Sequence, residues 1–400
     1  MHQLINRKGY IDQLLQWRHK DLIKVVTGVR RCGKSTLFEL YMNRLRAEGV
    51  PAEQIIFINL EDMGFSDLLD GKKLHDYAQA RIRKGKWNYL FIDEIQNCDG
   101  YERAIASLHL QKNLDINLTG SNAHMLSGEL ATKLAGRYVE IGMLPLSFAE
   151  FSEAAAIPDR RECFRQYMNM GAFPYGIRLL NHSLAHSQYL EGIYHTVLVK
   201  DVLARGGLND ATLLKSISAF LASSIGSPIS AKRIADTLTS HGRPTGSATV
   251  DAYVSALTNA YLFYRVNRYD IKGKTHLKSE CKYYACDTGL RNLALGTSNR
   301  DIGHQAENIV FLELSRRGYS IHAGKSGRGT EVDFVAARDR RTEYYQVSAT
   351  VLDENTLKRE LEPLRQIRDN YPKFLLSLDD FAADHDGIQQ INLLDWLVGK

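Results

Sequence analysis

Eight residues near the start of the chain, Gly28-Val29-Arg30-Arg31-Cys32-Gly33-Lys34-Ser35, have the types and spacing to hold a run of phosphates. In the pattern G-x-x-x-x-G-K-[ST] the two glycines let the backbone wrap. Successive N–H groups and the start of the next helix then point at the anion. Lys34 brings a point charge to the β- and γ-phosphate oxygens, Ser35 offers its hydroxyl to magnesium, and Thr36 follows in the helix. Arg30 and Arg31 add positive potential at the mouth. The expected ligands are ATP and Mg2+.

Downstream, Leu90-Phe91-Ile92-Asp93-Glu94 is an apolar run that ends in two acids. Asp93 is expected to hold the magnesium shell. Glu94 is the candidate general base for the attacking water, because phosphoryl transfer depends on in-line positioning and charge compensation. Ser121 and Asn122, in Thr119-Gly120-Ser121-Asn122, are placed to put a polar side chain beside the γ-phosphate, the alternative being a helix N-cap turn. Arg137 is the candidate arginine for transition-state charge, in its own subunit or a neighbour's. A surface ion pair is its alternative.

These residues need a scaffold, and the apolar runs describe one. Strand-like segments at 22–27, 55–60, 89–93, 116–119 and 138–141 alternate with amphipathic stretches, which predicts an α/β domain with a mainly parallel sheet over 1–144. The strand at 55–60 is available to lie between the Gly28 strand and the strand bearing the acids. Residues 145–206 read as a helical lid or connector. Over 207–300 three helices precede a hairpin at 261–285, the order of a winged helix-turn-helix. From 301 to 400 the order is helix, three strands, helix, strand, a separate small α/β domain.

Composition narrows the class. The 400 residues exceed one ordinary core, and 44% hydrophobic with 24% charged residues is a soluble globular balance. No window approaches the run of about twenty apolar residues that spans a membrane, and residues 1–10 lack a signal-peptide core, so a cytoplasmic protein is expected. Five scattered cysteines fit a reducing compartment, and Cys281 and Cys286 lack a second ligand pair for zinc. Residues 206–300 hold twelve Lys or Arg and six Asp or Glu, a charge of +6 against +5 for the chain, which leaves −1 elsewhere. An anionic partner is expected there, a solvated basic face being the alternative. The presumed recognition helix at 247–260 has no Lys or Arg. The candidate contacts to double-stranded DNA are instead Arg265, Arg268, Lys272, Lys274 and Lys278, with a protein partner or homo-oligomer as the rival.

The ordered motifs resemble a bacterial and archaeal group of AAA-type P-loop ATPases with a C-terminal domain of unknown function. They comprise residues 28–36, the acids with "DEIQ" at 93–96, "LTGSNAHML" at 118–126, "LAGRY" at 134–138 and "LPLSFAEF" at 144–151. Later come "GAFP" at 171–174, "KYYACDTGLRN" at 282–292 and "TEVDFV" at 330–335. The resemblance implies an ASCE-type sheet, a winged helix, and a C-terminal domain similar to PD-(D/E)XK nucleases. In that domain Glu307 and Asp333 match two metal-binding positions. The strand that should carry E-x-K reads Gln346-Val347-Ser348, which removes an acid and the lysine and predicts an inactive domain. The expected function is a Mg-dependent ATPase whose nucleotide state controls the C-terminal region, acting on DNA or nucleoprotein. A slow nucleotide-gated switch that assembles with protein partners is the alternative, and an ATP-gated metal nuclease is the least favoured.

Overall fold

The computed structural model describes residues 4–123, 134, 136–204, 206–296, 301–325 and 330–399, with backbone alone for 276–279. The chain divides into two compact units. The first holds residues 1–143 with Asn259–Tyr261, and the second holds 144–258 and 262–400.

The first unit runs α1 (Lys8–Gln16), β1 (Ile23–Thr27), α2 (Lys34–Ala47), β2 (Ile55–Asn59), α3 (Gly71–Gln79), β3 (Asn88–Asp93), α4 (Tyr101–Leu108), β4 (Leu114–Gly120) and β5 (Tyr138–Gly142). Strands separated by helices have to return in parallel, and the five form one parallel sheet in the order β2-β3-β4-β1-β5. Ile23, Val25, Ile58, Leu90, Ile92 and Leu118 on the strands share a core with Leu74 of α3 and Ile105 of α4.

One neighbour relation corrects the sequence reading. The strand between β1 and β3 is β4, and β2 lies at the sheet edge. Every residue of β1 and β4 is buried, whereas β2 carries the exposed Phe57 and suits an edge. A buried ion pair joins the two central strands: Lys24 Nζ on β1 lies 2.7 Å from Asp115 Oδ1 on β4, both side chains wholly buried. Separating such charges inside a core costs several kcal/mol, so β1 and β4 must be adjacent.

The second unit begins with α5 (Phe148–Ala155), α6 (Arg160–Met170), α7 (Ser183–Thr196) and a π-helical stretch, Val197–Ala204. Then come α8 (Ala211–Ser223), α9 (Ala231–Ser240), α10 (Ser247–Asn259), the hairpin β6 (Phe263–Asp270) and β7 (Thr275–Ala285), and α11 (Thr288–Leu295). The remainder is α12 (Ile302–Arg316), β8 (Ser320–Lys325), β9 (Glu331–Arg338), β10 (Arg341–Ser348), α13 (Glu354–Arg365), β11 (Lys373–Ser377), β12 (Ala383–Asp384), β13 (Ile388–Asn392) and α14 (Leu393–Leu397). One eight-stranded sheet runs β12-β13-β11-β10-β9-β8-β6-β7. The hairpin is therefore not free-standing: β6 pairs in parallel with β8 through Arg268–Asp270 and Ala323–Lys325, and β7 forms the sheet edge.

Two of the sequence motifs meet inside this unit. Asp287 caps α11 by accepting from Leu290 N at 2.9 Å, and its other oxygen accepts from Ala172 N at 2.6 Å. Carbonyls in the last turn of α6, where intrahelical partners run out, accept from the same motif, and Tyr167 O does so in addition to the Gly171 N–H. Thr288 Oγ1 donates to Tyr167 O at 3.1 Å, and Asn292 Nδ2 donates to Met168 O at 3.1 Å and Asn169 O at 3.2 Å. Arg291 Nε donates to Ala222 O of α8 at 2.9 Å. Gly171 ends α6 at φ +77°, and a Cβ there would stand 2.2 Å from Asp287 Oδ1, so that position admits only glycine. The "GAFP" and "DTGLRN" motifs are thus two sides of one joint.

Candidate nucleotide site

The site lies at the carboxyl ends of β1, β3 and β4, where a parallel sheet opens toward its ligands. Gly28, following β1, has φ +146°, and a Cβ on it would stand 2.1 Å from Met143 O. Gly33 has φ +109° and caps α2, a backbone that an L side chain rarely adopts. Val29 and Cys32 are buried, and burial pushes the Cys32 thiol up, so these positions contribute backbone rather than side-chain chemistry. Arg30 pairs with Glu61 at 2.9 Å. Arg31 is exposed with φ +69°.

Lys34 opens α2 and is 4% exposed. Its Nζ donates to Gly28 O at 3.0 Å and Val29 O at 3.3 Å and lies 3.8 Å from Glu94 Oε1. Ser35 and Thr36 follow in the first turn. Asp93, at the end of β3, is buried. Burial raises its pKa, and hydrogen bonds from Ser35 and Thr119 partly offset that rise. Thr119 Oγ1 donates to Asp93 Oδ1 at 2.5 Å and accepts the Glu94 N–H at 2.8 Å. One hydroxyl on β4 therefore sets the positions of both acids.

Glu94 has φ +54°, left-handed for a non-glycine residue, at a cost of about 1–2 kcal/mol. Its Oε2 accepts from Ser121 Oγ at 3.0 Å and from Gln96 Nε2. Burial opposes its ionisation. Lys34, the Gln96 and Ser121 hydrogen bonds, and Arg30 outweigh that effect and hold the carboxyl below the usual glutamate range. Asn122 is buried beside this cluster in the chain, after Ser121.

The structure thus brings together Lys34, Ser35, Asp93, Glu94 and Ser121. It does not bring Arg137. That residue is exposed and precedes β5, and its carbonyl accepts the Ile23 N–H at the opposite end of β1. It lies roughly 13 Å of strand from the P-loop, in the field of Asp21 and His109. Gln96 and Thr119 were missed as site residues. Both lie within quoted motifs; the role of Thr119 appears only once β4 is seen beside β3, whereas Gln96 reaches Glu94 from two residues along the chain. The paired Ser35 hydroxyl and Asp93 carboxylate form a hard-oxygen set that suits magnesium. With the glycine-dependent loop, these residues fit ATP and Mg2+.

The other sequence-derived positions fall in the second unit. Glu307 is on α12, Asp333 on β9, and Gln346 and Ser348 on β10. Gln346 Oε1 accepts from Asp333 N at 3.3 Å while its Nε2 donates to Glu360 at 2.9 Å, and Ser348 Oγ donates to Thr350 O at 3.0 Å. Among the described residues no group of three or more His, Cys, Asp or Glu is arranged to hold a metal. Arg268 pairs with Glu280 at 2.8 Å, and Arg265 Nε donates to Cys281 Sγ at 3.1 Å. Lys272 and Lys274 are exposed at the hairpin turn, and the Lys278 side chain lies outside the described residues. No helix among the described residues is long and apolar enough to cross a membrane.

Residues 20–152 match the model of an AAA domain, and residues 161–301 match a domain of unknown function (DUF8612). An uncharacterised protein of Haemophilus influenzae is 38% identical over 99% of both chains, and one of Methanocaldococcus jannaschii is 27% identical over 93% of this chain and 85% of its own. A Walker-type ATPase of Pyrococcus abyssi superposes with a TM-score of 0.52 at 14% identity, over 73% of this chain and 96% of that one, a likeness of fold. The chain belongs to the same protein family as the Haemophilus influenzae protein, and its N-terminal domain is an AAA-type P-loop domain.

Proposed function

We propose that the chain is a magnesium-dependent ATPase whose nucleotide state controls its C-terminal unit. The observation that carries this reading is the convergence of Lys34, Asp93 and an ionised, strained Glu94 at the carboxyl ends of β1 and β3. Lys34 binds the terminal phosphates. Ser35 and Asp93 would hold magnesium, which when bound supplies charge stabilisation at the phosphate oxygens. Glu94 takes a proton from the attacking water, and Ser121 and Gln96 keep its carboxylate aimed.

The control reading rests on the chain's path through the first unit. The polypeptide leaves the sheet at Met143, whose N–H donates to Thr27 O at 2.7 Å and whose carbonyl faces Gly28. It returns at Asn259–Tyr261, where Tyr261 Oη donates at 3.2 Å to the Glu140 oxygen that also accepts from Thr27 Oγ1 at 2.6 Å. Both passages touch the residues that lead into the P-loop.

An ATPase assay with and without double-stranded DNA tests the enzyme reading. Lys34→Ala removes a charged hydrogen bond of about 1.5–3 kcal/mol, so ATP affinity should fall roughly 10- to 100-fold and turnover should fall to background. Wild-type turnover in that variant ends the reading.

DNA or nucleoprotein is the inferred object of control, touched through the hairpin turn, and assembly with protein partners is the alternative. Only phosphate contact fits a face whose α10 has no Lys or Arg between Ser247 and Asn259. In filter binding across salt, replacing Lys272 and Lys274 with Ala should flatten the log–log slope by about 2. An unchanged slope removes the turn from the interface.

A further inference from the structure

The second unit contains a closed cluster of charge that the ATPase reading does not use. Lys282, on β7, is 2% exposed, and carboxylates from two other elements surround its ammonium. Nζ lies 3.0 Å from Glu307 Oε1 on α12, 2.6 Å from Glu331 Oε1 and 3.6 Å from Asp333 Oδ1, both on β9. Carboxylate oxygens are the ligands that divalent cations such as magnesium and manganese prefer, yet with the ammonium between them these three acids are not arranged to hold a metal. Here a covalently attached cation fills the space between them.

The similarity to metal nucleases implies a metal between Glu307 and Asp333. The residues present do not fit one. The ammonium stands within hydrogen-bond or ion-pair distance of every acid that would coordinate it, and a second cation there would be repelled by the buried Lys282 charge at close range. The acid lost from β10 is not restored, because Gln346 uses its amide to bridge Asp333 N and Glu360.

We propose that Lys282 is a built-in counter-ion occupying the position of a divalent cation, which closes this acid cluster to metal and ties β7 to α12 and β9. The cluster is a joint rather than a catalytic centre. Its selectivity for magnesium- or manganese-like ions survives in the acids and is masked by one side chain. Deleting that ammonium uncovers the cation site.

The test is Mn2+ binding to the full chain without nucleotide, followed by calorimetry and by thermal melting. Each protein is compared with its Asp333→Asn derivative, so that the P-loop's own metal affinity cancels. Wild type and Asp333→Asn should bind equal numbers of Mn2+. Lys282→Ala should bind one more, which the added Asp333→Asn removes, and its melting temperature should rise with Mn2+. Lys282→Arg keeps the charge and should gain no ion. If Lys282→Ala folds only with help, refolding in millimolar Mn2+ rather than in chelator gives the same answer. A wild type that loses a Mn2+ on Asp333→Asn, or a Lys282→Ala protein that neither gains an ion nor is rescued by one, overturns the proposal.

Discussion

Replacing Glu94 with Gln should cut ATP turnover by about 10²- to 10⁴-fold while ATP still binds. The carboxylate is fixed from three sides: Thr119 holds its backbone N–H, and Ser121 and Gln96 hold Oε2, leaving Oε1 toward Lys34. An amide at this position can no longer take a proton from water, yet it leaves Lys34, Ser35 and the loop intact. Loss of turnover with retained nucleotide binding separates this residue from Lys34, whose removal costs both. Because Glu94 is held below the usual glutamate range, the base stays ionised through neutral pH, and its acid limb should lie on the acid side of an ordinary glutamate's. Steady-state turnover against pH, with binding of a fluorescent nucleotide in parallel, checks both points. Undiminished turnover in Glu94→Gln would remove the base from the mechanism.

The largest stability effect should come from Asp287→Ala. The carboxylate satisfies backbone N–H groups of Ala172 and Leu290 in a fully buried joint. Leaving those donors unpaired should destabilise the second unit by roughly 3–5 kcal/mol, a fall in melting temperature of roughly 10 °C. Asp287→Asn should cost less, since its oxygen still caps α11 while its NH2 faces the Ala172 N–H, donor to donor. Burial raises the Asp287 pKa to about 6, against the pull of the Ala172, Leu290 and Gly289 N–H groups. Between the unfolded value near pH 4 and about pH 6, the folded protein holds a proton that the unfolded chain has released. The stabilisation is therefore fully present below about pH 4 and is lost as pH rises through 6, roughly 3 kcal/mol in all. Urea titrations of wild type and Asp287→Asn from pH 4 to 7 should show the wild-type advantage shrinking as pH rises. An advantage that grows with pH would contradict the assignment.

Much of the nucleotide site was legible because its chemistry is local. A loop that must wrap phosphates needs glycine at Gly28 and Gly33 and a lysine at Lys34, and those requirements are met by eight consecutive residues. Strand neighbours are a different matter. Residues 55–60 and 114–120 are both short, apolar-looking runs, and periodicity does not say which inserts beside β1. The clue was Asp115, an acid in an interior strand, which has meaning only once Lys24 is known to be buried opposite it. From the other neighbour of the same strand, β3, follow the roles of Thr119 and Ser121. The placement of Arg137 likewise follows from the direction of β5, which starts at the end of the sheet away from the P-loop.

The C-terminal unit shows the same division more sharply. Its motifs "GAFP" and "DTGLRN" stood out in the sequence without a task, because the Ala172 N–H and the Asp287 carboxylate that they join are 115 residues apart along the chain. The strand at Gln346-Val347-Ser348 carries no lysine of the kind that the resemblance to nucleases implies. The fold supplies one from Lys282 on a strand that sequence reading assigns to a different domain, since β6 pairs with β8 and draws the hairpin into the larger sheet. By itself the sequence determined the P-loop, its lysine, and the acid pair Asp93 and Glu94, because those depend on short-range backbone geometry. Only the tertiary structure decided that Thr119 and Ser121 hold Glu94, where Arg137 goes, and what fills the acid cluster, because each depends on which strands become neighbours.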